Sequence, residues 1–115
     1  PSPMGNPFSV MKRGRLVEAW REALCDALET AVAAVLAGRE QCLADIARAH
    51  GLPPGSVREP YASQTWDEYA SGLWTAIQGV RERVQAGEEL VLTCACLPRR
   101  CHATTLRRAI CVDCD

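Results

Sequence analysis

Between Cys94 and His102 the chain reads Cys-Ala-Cys-Leu-Pro-Arg-Arg-Cys-His, which packs three thiols and an imidazole into nine residues. Soft sulfur and borderline nitrogen donors match zinc and iron-sulfur centres, and match magnesium or calcium poorly. Cys94, Cys96, Cys101 and His102 are therefore a candidate metal set, with zinc favoured over an iron-sulfur cluster. The spacing is unusual, because Cys101 and His102 are adjacent and neighbouring side chains diverge, so a single ion needs a bent turn to gather all four. Cys111 and Cys114 have the common two-residue gap and either complete the site or trail beyond it. The same residues allow a catalytic reading. A thiol at the start of a helix, flanked by Arg99 and Arg100, has its pKa lowered, and His102 stands beside Cys101 as a base. The plain alternative makes Cys94 and Cys96 small core residues at a strand end and His102 a polar residue at a helix start. Arg99 and Arg100 beside a helix N-terminus also suit an anion, since free backbone N–H groups and guanidinium forks match phosphate. Two solvated loop arginines are the alternative.

Those residues need elements to hold them. Residues 15–37 place Leu16, Ala19, Trp20, Ala23, Leu24, Ala27, Leu28, Ala31, Val32, Val35 and Leu36 at spacings of three and four, which predicts one long amphipathic helix stopped by Gly38. Cys25 lies near that stripe and reads as a small buried hydrophobe. Residues 41–50 predict a shorter helix ended by Gly51 and the Pro53-Pro54-Gly55 punctuation. Thr65-Trp66-Asp67-Glu68 has capping-box spacing, and the helix it opens carries Tyr69, Leu73, Ile77, Val80 and Val84 on one face, ends near Gly87 and is expected to pack on the first helix. Leu90-Val91-Leu92 reads as a strand covered on both faces, and residues 103–110 as a short helix with Leu106, Ala109 and Ile110 on one side. The cysteine-rich segment then falls on a strand-to-helix turn, beyond the carboxyl end of the strand, where open α/β sheets build their sites.

A chain of 115 residues supports one domain with a modest core. Its 13 basic and 14 acidic residues nearly cancel, so no overall field steers it onto nucleic acid or an anionic membrane, and any such binding needs a local patch. The longest helical candidate carries charges throughout, so no span of a bilayer is expected. Seven cysteines are an odd number and crowd toward one end. With no secretory signal visible at the start, this favours a cytoplasmic, reducing compartment over a disulfide scaffold. A competing motif lies in residues 43–58, where Ala47, Gly51 and Val57 occupy the small, turn and apolar positions of a helix-turn-helix DNA reader. Pro60 cuts its second helix short, and DNA binding through it would fall to Arg48 and Arg58.

The opening Pro-Ser-Pro-Met-Gly-Asn-Pro-Phe, taken with Leu-Thr-Cys-Ala-Cys-Leu-Pro-Arg-Arg-Cys-His-Ala-Thr-Thr-Leu near the other end, resembles a phage and bacterial family known as domain of unknown function number 4326. Members look like a Gly-Asn-Pro-Phe opening, a helical middle, and a closing strand followed by Cys-x-Cys-x-Pro-x-x-Cys-His. The resemblance implies that Gly5, Asn6, Pro7 and Phe8 share a site with Cys94, Cys96, Cys101 and His102 across a small α/β sheet. A Gly-Asn-Pro turn can expose an amide and a free carbonyl to a ligand, or it can be a rigid turn that sets Phe8 in the core. Family members carry an apolar strand ahead of this opening, so the resemblance also implies a truncated chain or a reduced sheet, with residues 41–64 as an insertion.

The expected architecture is a single α/β domain over residues 1–115: a short parallel or mixed sheet containing the strand at 90–93, covered by helices at 15–37 and 67–86. The first functional expectation is a phage-type zinc-binding domain in which Asn6, Arg99 and Arg100 accept a nucleotide or nucleic-acid end. The second is an enzyme acting on a nucleotide or base through Cys101 or a metal-activated water. The third is the helix-turn-helix module.

Overall fold

The computed structural model describes residues 5–87, 105–107 and 109, with the backbone alone at 15 and 16. Its centre is α1 (Arg21–Ala37), which buries Leu24, Cys25, Ala27, Leu28, Ala31, Val32, Ala34 and Val35. Buried positions that dense wrap well beyond one narrow stripe, so this helix is covered on more than one side. Both α2 (Leu43–Ala49) and α3 (Trp66–Gln85) pack against it. Ala27, Ala31 and Ala34 are wholly buried, and side chains that short let neighbouring elements approach closely. Gly38, at φ 70°, ends α1 as the sequence predicts, with the Arg39 amide donating to the Ala34 carbonyl at 2.9 Å.

The predicted helix over 15–37 begins six residues late. Residues Met11–Lys12 (β1) and Arg15–Leu16 (β2) instead form an antiparallel hairpin, with Lys12 opposite Arg15 and Met11 opposite Leu16. Its two-residue turn is Arg13-Gly14, at φ 53° and 76°, and positive φ at both central positions is the type I′ signature that matches strand twist. The Val17 amide donates to the Val10 carbonyl at 3.0 Å, so 15–17 are held by strand partners before a 3-10 turn at Glu18–Trp20 leads into α1. Arg21 grips Glu18 with two hydrogen bonds of 2.7 Å across that junction.

Thr65 caps α3 as its spacing predicts: Thr65 Oγ1 accepts from the Glu68 amide at 3.2 Å, and Glu68 Oε1 accepts from the Thr65 amide at 3.0 Å. Tyr69, Leu73 and Ile77 are buried in the core that this helix shares with α1, and Val80 and Val84 pack at its edge. Cys25 is buried, in agreement with its reading as a small hydrophobe. Residues 105–107 and 109 are helical, as predicted, and Leu106 and Ala109 join the same core. Arg81 of α3 fixes them from the other side, donating to the Ala109 carbonyl from Nε at 3.2 Å and Nη2 at 2.6 Å.

The helix-turn-helix expectation is corrected after its first half. α2 and the Gly51 turn form, with the Leu52 amide reaching back to the Ala47 carbonyl at 2.9 Å. No second helix follows. Val57 pairs antiparallel with Phe8, the Ser9 amide donates to the Ser56 carbonyl at 2.7 Å, and the Arg58 amide donates to the Pro7 carbonyl at 2.8 Å. These backbone groups are committed to the extended segment at 7–9, and three prolines between Gly51 and Tyr61 remove further helical donors. The next helical piece is a 3-10 turn at Tyr61–Ser63. Among the described residues the fold is therefore helix-rich, and its β structure is a two-stranded antiparallel hairpin plus one bridge. The predicted strand at 90–93 and its parallel or mixed sheet lie outside the described residues.

Candidate functional site

Asn6 is described together with Gly5, Pro7 and Phe8 of the same opening and with Arg48 and Arg58 of the helix-turn-helix alternative, and its surroundings follow from its type. An Asn before Pro-Phe can fold its side chain back onto the backbone two residues on. Asn6 Oδ1 does this, accepting from the Phe8 amide at 2.9 Å. The Asn6 carbonyl is also taken, receiving the Arg58 guanidinium through Nε at 2.9 Å and through Nη2. Phe8 itself is 1% exposed and stands among the largest fully buried side chains, with Pro7 beside it. The Gly-Asn-Pro-Phe opening thus acts as a rigid turn that seats Phe8, with both Asn6 oxygens satisfied inside the protein.

Arg58 and the aromatic residues beyond it are the neighbours that sequence reasoning did not connect to Asn6. The Arg58 guanidinium carbon lies 5.6 Å from the centre of the Tyr61 ring, within cation–π range. Tyr61 meets Tyr69 edge to face, centroids 6.1 Å apart at 80°, and Trp66 tilts against Tyr69 at 5.6 Å. The chain of contacts runs from Asn6 through Arg58 and Tyr61 to the first turns of α3. Spacing within α3 identifies Trp66 and Tyr69 as near neighbours, but nothing local marks Arg58 as the partner of Asn6, 52 residues away. At the inner end of this chain the Tyr69 hydroxyl is buried without a hydrogen-bond partner among the described residues. Burial, and secondarily the nearby Tyr61, push its pKa above the usual tyrosine value.

A second polar link joins α1 to the end of α2. Thr30 Oγ1 donates to the Asp26 carbonyl at 3.1 Å and stands 2.9 Å from His50 Nε2, a contact whose direction follows the histidine tautomer. With its hydroxyl committed to the backbone and its helix neighbours packed, this pair reads as a tie between helices.

Cys94, Cys96, Arg99, Arg100, Cys101 and His102 lie outside the described residues, as do Cys111 and Cys114. Among the described residues no group of three metal-ligating side chains comes together, and of the two described cysteines Cys25 is buried and Cys42 exposed. No described helix is long and apolar enough to cross a membrane. No family model, curated protein or solved structure matches the chain.

Proposed function

We propose that the chain is a zinc-binding domain of the phage-type family it resembles, with Cys94, Cys96, Cys101 and His102 as ligands. In this reading Asn6, Arg99 and Arg100 lie beside the metal and accept a nucleotide or a nucleic-acid end. The observation that carries it is the run of three thiols and an imidazole in nine residues, joined to a helix that is anchored in the core. His102 precedes Thr105 by three residues, a reach of at most about 11 Å, and Thr105 and Leu106 are both buried. Arg81 holds Ala109 of that helix. A core-anchored helical segment three residues beyond His102 gives the ligands a rigid edge to work from, which a structural zinc site needs.

The α/β architecture belongs to the same proposal: the 17 residues between Gly87 and Thr105 supply the strand at 90–93, which lies against the described helices. So does a reducing, cytoplasmic setting, which keeps the thiols free to bind metal. Asn6 contributes its amide nitrogen, because its oxygens are already engaged. Zinc, when bound, stabilises the closing turn and offers a positive centre to an anion.

The test is elemental analysis and a visible spectrum on protein purified without oxygen or an affinity tag, together with the variant C101S. About one zinc per chain, no colour, and loss of both metal and thermal stability in C101S support the proposal. Iron with brown colour refutes zinc, and metal-free, fully folded protein refutes a metal site. If C101S keeps its zinc and its melting temperature but no longer processes a nucleotide, Cys101 is a nucleophile and the enzyme reading replaces this one.

A further inference from the structure

The hairpin that displaces the first turns of α1 carries an unusual distribution of charge. Residues 1–17 contain Lys12, Arg13 and Arg15 and no carboxylate, whereas the rest of the chain has more acidic than basic residues. Lys12 and Arg13 are exposed, and among the described residues neither side chain is engaged in an ion pair or hydrogen bond. The backbone makes this costly in two ways. The register puts Lys12 opposite Arg15, and two basic residue types at one rung of a ladder oppose pairing. Arg13 has φ 53°, a left-handed conformation that turns of this type normally give to Asn, Asp or Gly. A hairpin selected for stability alone would avoid both.

We infer that this hairpin is a binding finger for the phosphate backbone of duplex DNA, with its basic tip entering the major groove. The dimensions agree. Val10 packs on the core and pairs with Val17, so the ribbon projects from there. Three residues of strand and turn extend it by about 10 Å, comparable to a major groove about 12 Å wide and 8.5 Å deep, which admits a two-stranded ribbon. The deep, narrow groove of double-stranded RNA does not. Met11, 53% exposed on the same ribbon, supplies an apolar contact of the kind thymine methyl groups accept. An anionic membrane fits less well, because stable surface attachment takes more cations or a larger apolar face than one methionine provides. The inference rests on the proposed function only in its class of ligand, and it needs neither the metal nor Cys101.

The experiment is fluorescence anisotropy of a labelled 20-base-pair duplex with the full chain, from 50 to 200 mM KCl, alongside the double variant K12T/R13N. Threonine suits the strand and asparagine suits the left-handed turn, so the variant keeps the hairpin while removing two charges. Phosphate contacts from Lys12 and Arg13 give a log–log salt slope of about −1.8, so affinity falls about 12-fold across the range. The variant loses both contacts and with them that salt dependence. An unchanged slope in the variant, or no binding of the duplex at 50 mM salt, overturns the inference. So does tighter attachment to vesicles of phosphatidylcholine and phosphatidylserine than to the duplex. C101S separates the two readings: hairpin-dependent DNA binding that survives a metal-free C101S leaves this inference standing even where the zinc proposal fails. DNA binding indifferent to K12T/R13N faults this inference alone.

Discussion

Replacing Tyr69 by phenylalanine removes one oxygen from the core and should make the protein more stable. The Tyr69 side chain is buried and its hydroxyl has no partner among the described residues, so folding strips that group of water and returns nothing. An unpaired buried hydroxyl costs about 1–3 kcal/mol. Deleting the oxygen leaves a small void worth a few tenths of a kcal/mol in the opposite direction, about 24 cal/mol per Å3. The edge-to-face contact with Tyr61 and the tilted contact with Trp66 are kept by a phenyl ring. The net expectation for Y69F is about 1 kcal/mol of added stability at neutral pH, or a melting temperature higher by about 4 °C for a chain of this size. The effect should grow in alkali. Tyr69 has its folded-state pKa raised, chiefly by burial and then by Tyr61, whereas in the unfolded chain it ionises near 10. The stability linked to this proton is fully present below pH 10 and is lost as pH rises from there toward the folded value. At pH 11 the wild type should have lost about 1.4 kcal/mol that Y69F cannot lose. Urea denaturation of both proteins at pH 7, 9, 10 and 11 measures the gap. A Y69F protein less stable than wild type by 1 kcal/mol at pH 7 would show that the hydroxyl has a partner and refute the reasoning, as would a gap that does not widen above pH 10.

Three further changes test how the frame holds the opening turn. T65A removes the side-chain half of the capping box on α3 and should lower stability by about 1 kcal/mol in a thermal melt followed by circular dichroism, with T65S restoring most of it. F8A empties a site that is 1% exposed and should cost about 3–5 kcal/mol, a large share of a domain's total, read as a shifted urea midpoint. N6A loses the bond to the Phe8 amide and should cost about 1 kcal/mol. N6D keeps the acceptor and should cost less, a ranking that a ligand-only role for Asn6 would not produce.

Much of the frame was legible in local patterns because the forces that set it are local. The Thr65 cap, the 69-73-77 stripe and the Gly38 stop all depend on residues within one or two helical turns of each other, and spacing alone identifies such groups. Leu106 and Ala109 were placed on a buried helical face by the same logic. The nine-residue cysteine segment is equally a property of the sequence, and it names a metal chemistry without naming a reaction. The hairpin was missed for an identifiable reason: the apolar residues at 16, 19 and 20 continue the α1 period, while Arg13-Gly14 is a turn signal weaker than Asn-Gly.

Tertiary structure decided the rest, wherever a residue needed a partner from far along the chain. Residues 15 and 16 belong to a strand because Lys12 and Met11 stand opposite them and Val10 ties down Val17 beyond, and a strand has no stability of its own without that ladder. Residues 56–58 are extended because 7–9 satisfy their backbone groups, which overrides the helix-turn-helix pattern in the side chains. The Asn6 carbonyl is closed by an arginine 52 residues away, and the last helix is held by one 28 residues before it. Sequence fixes the type of residue at each of these places, whereas only the packing of α1 against its neighbours brings the partners within hydrogen-bonding distance.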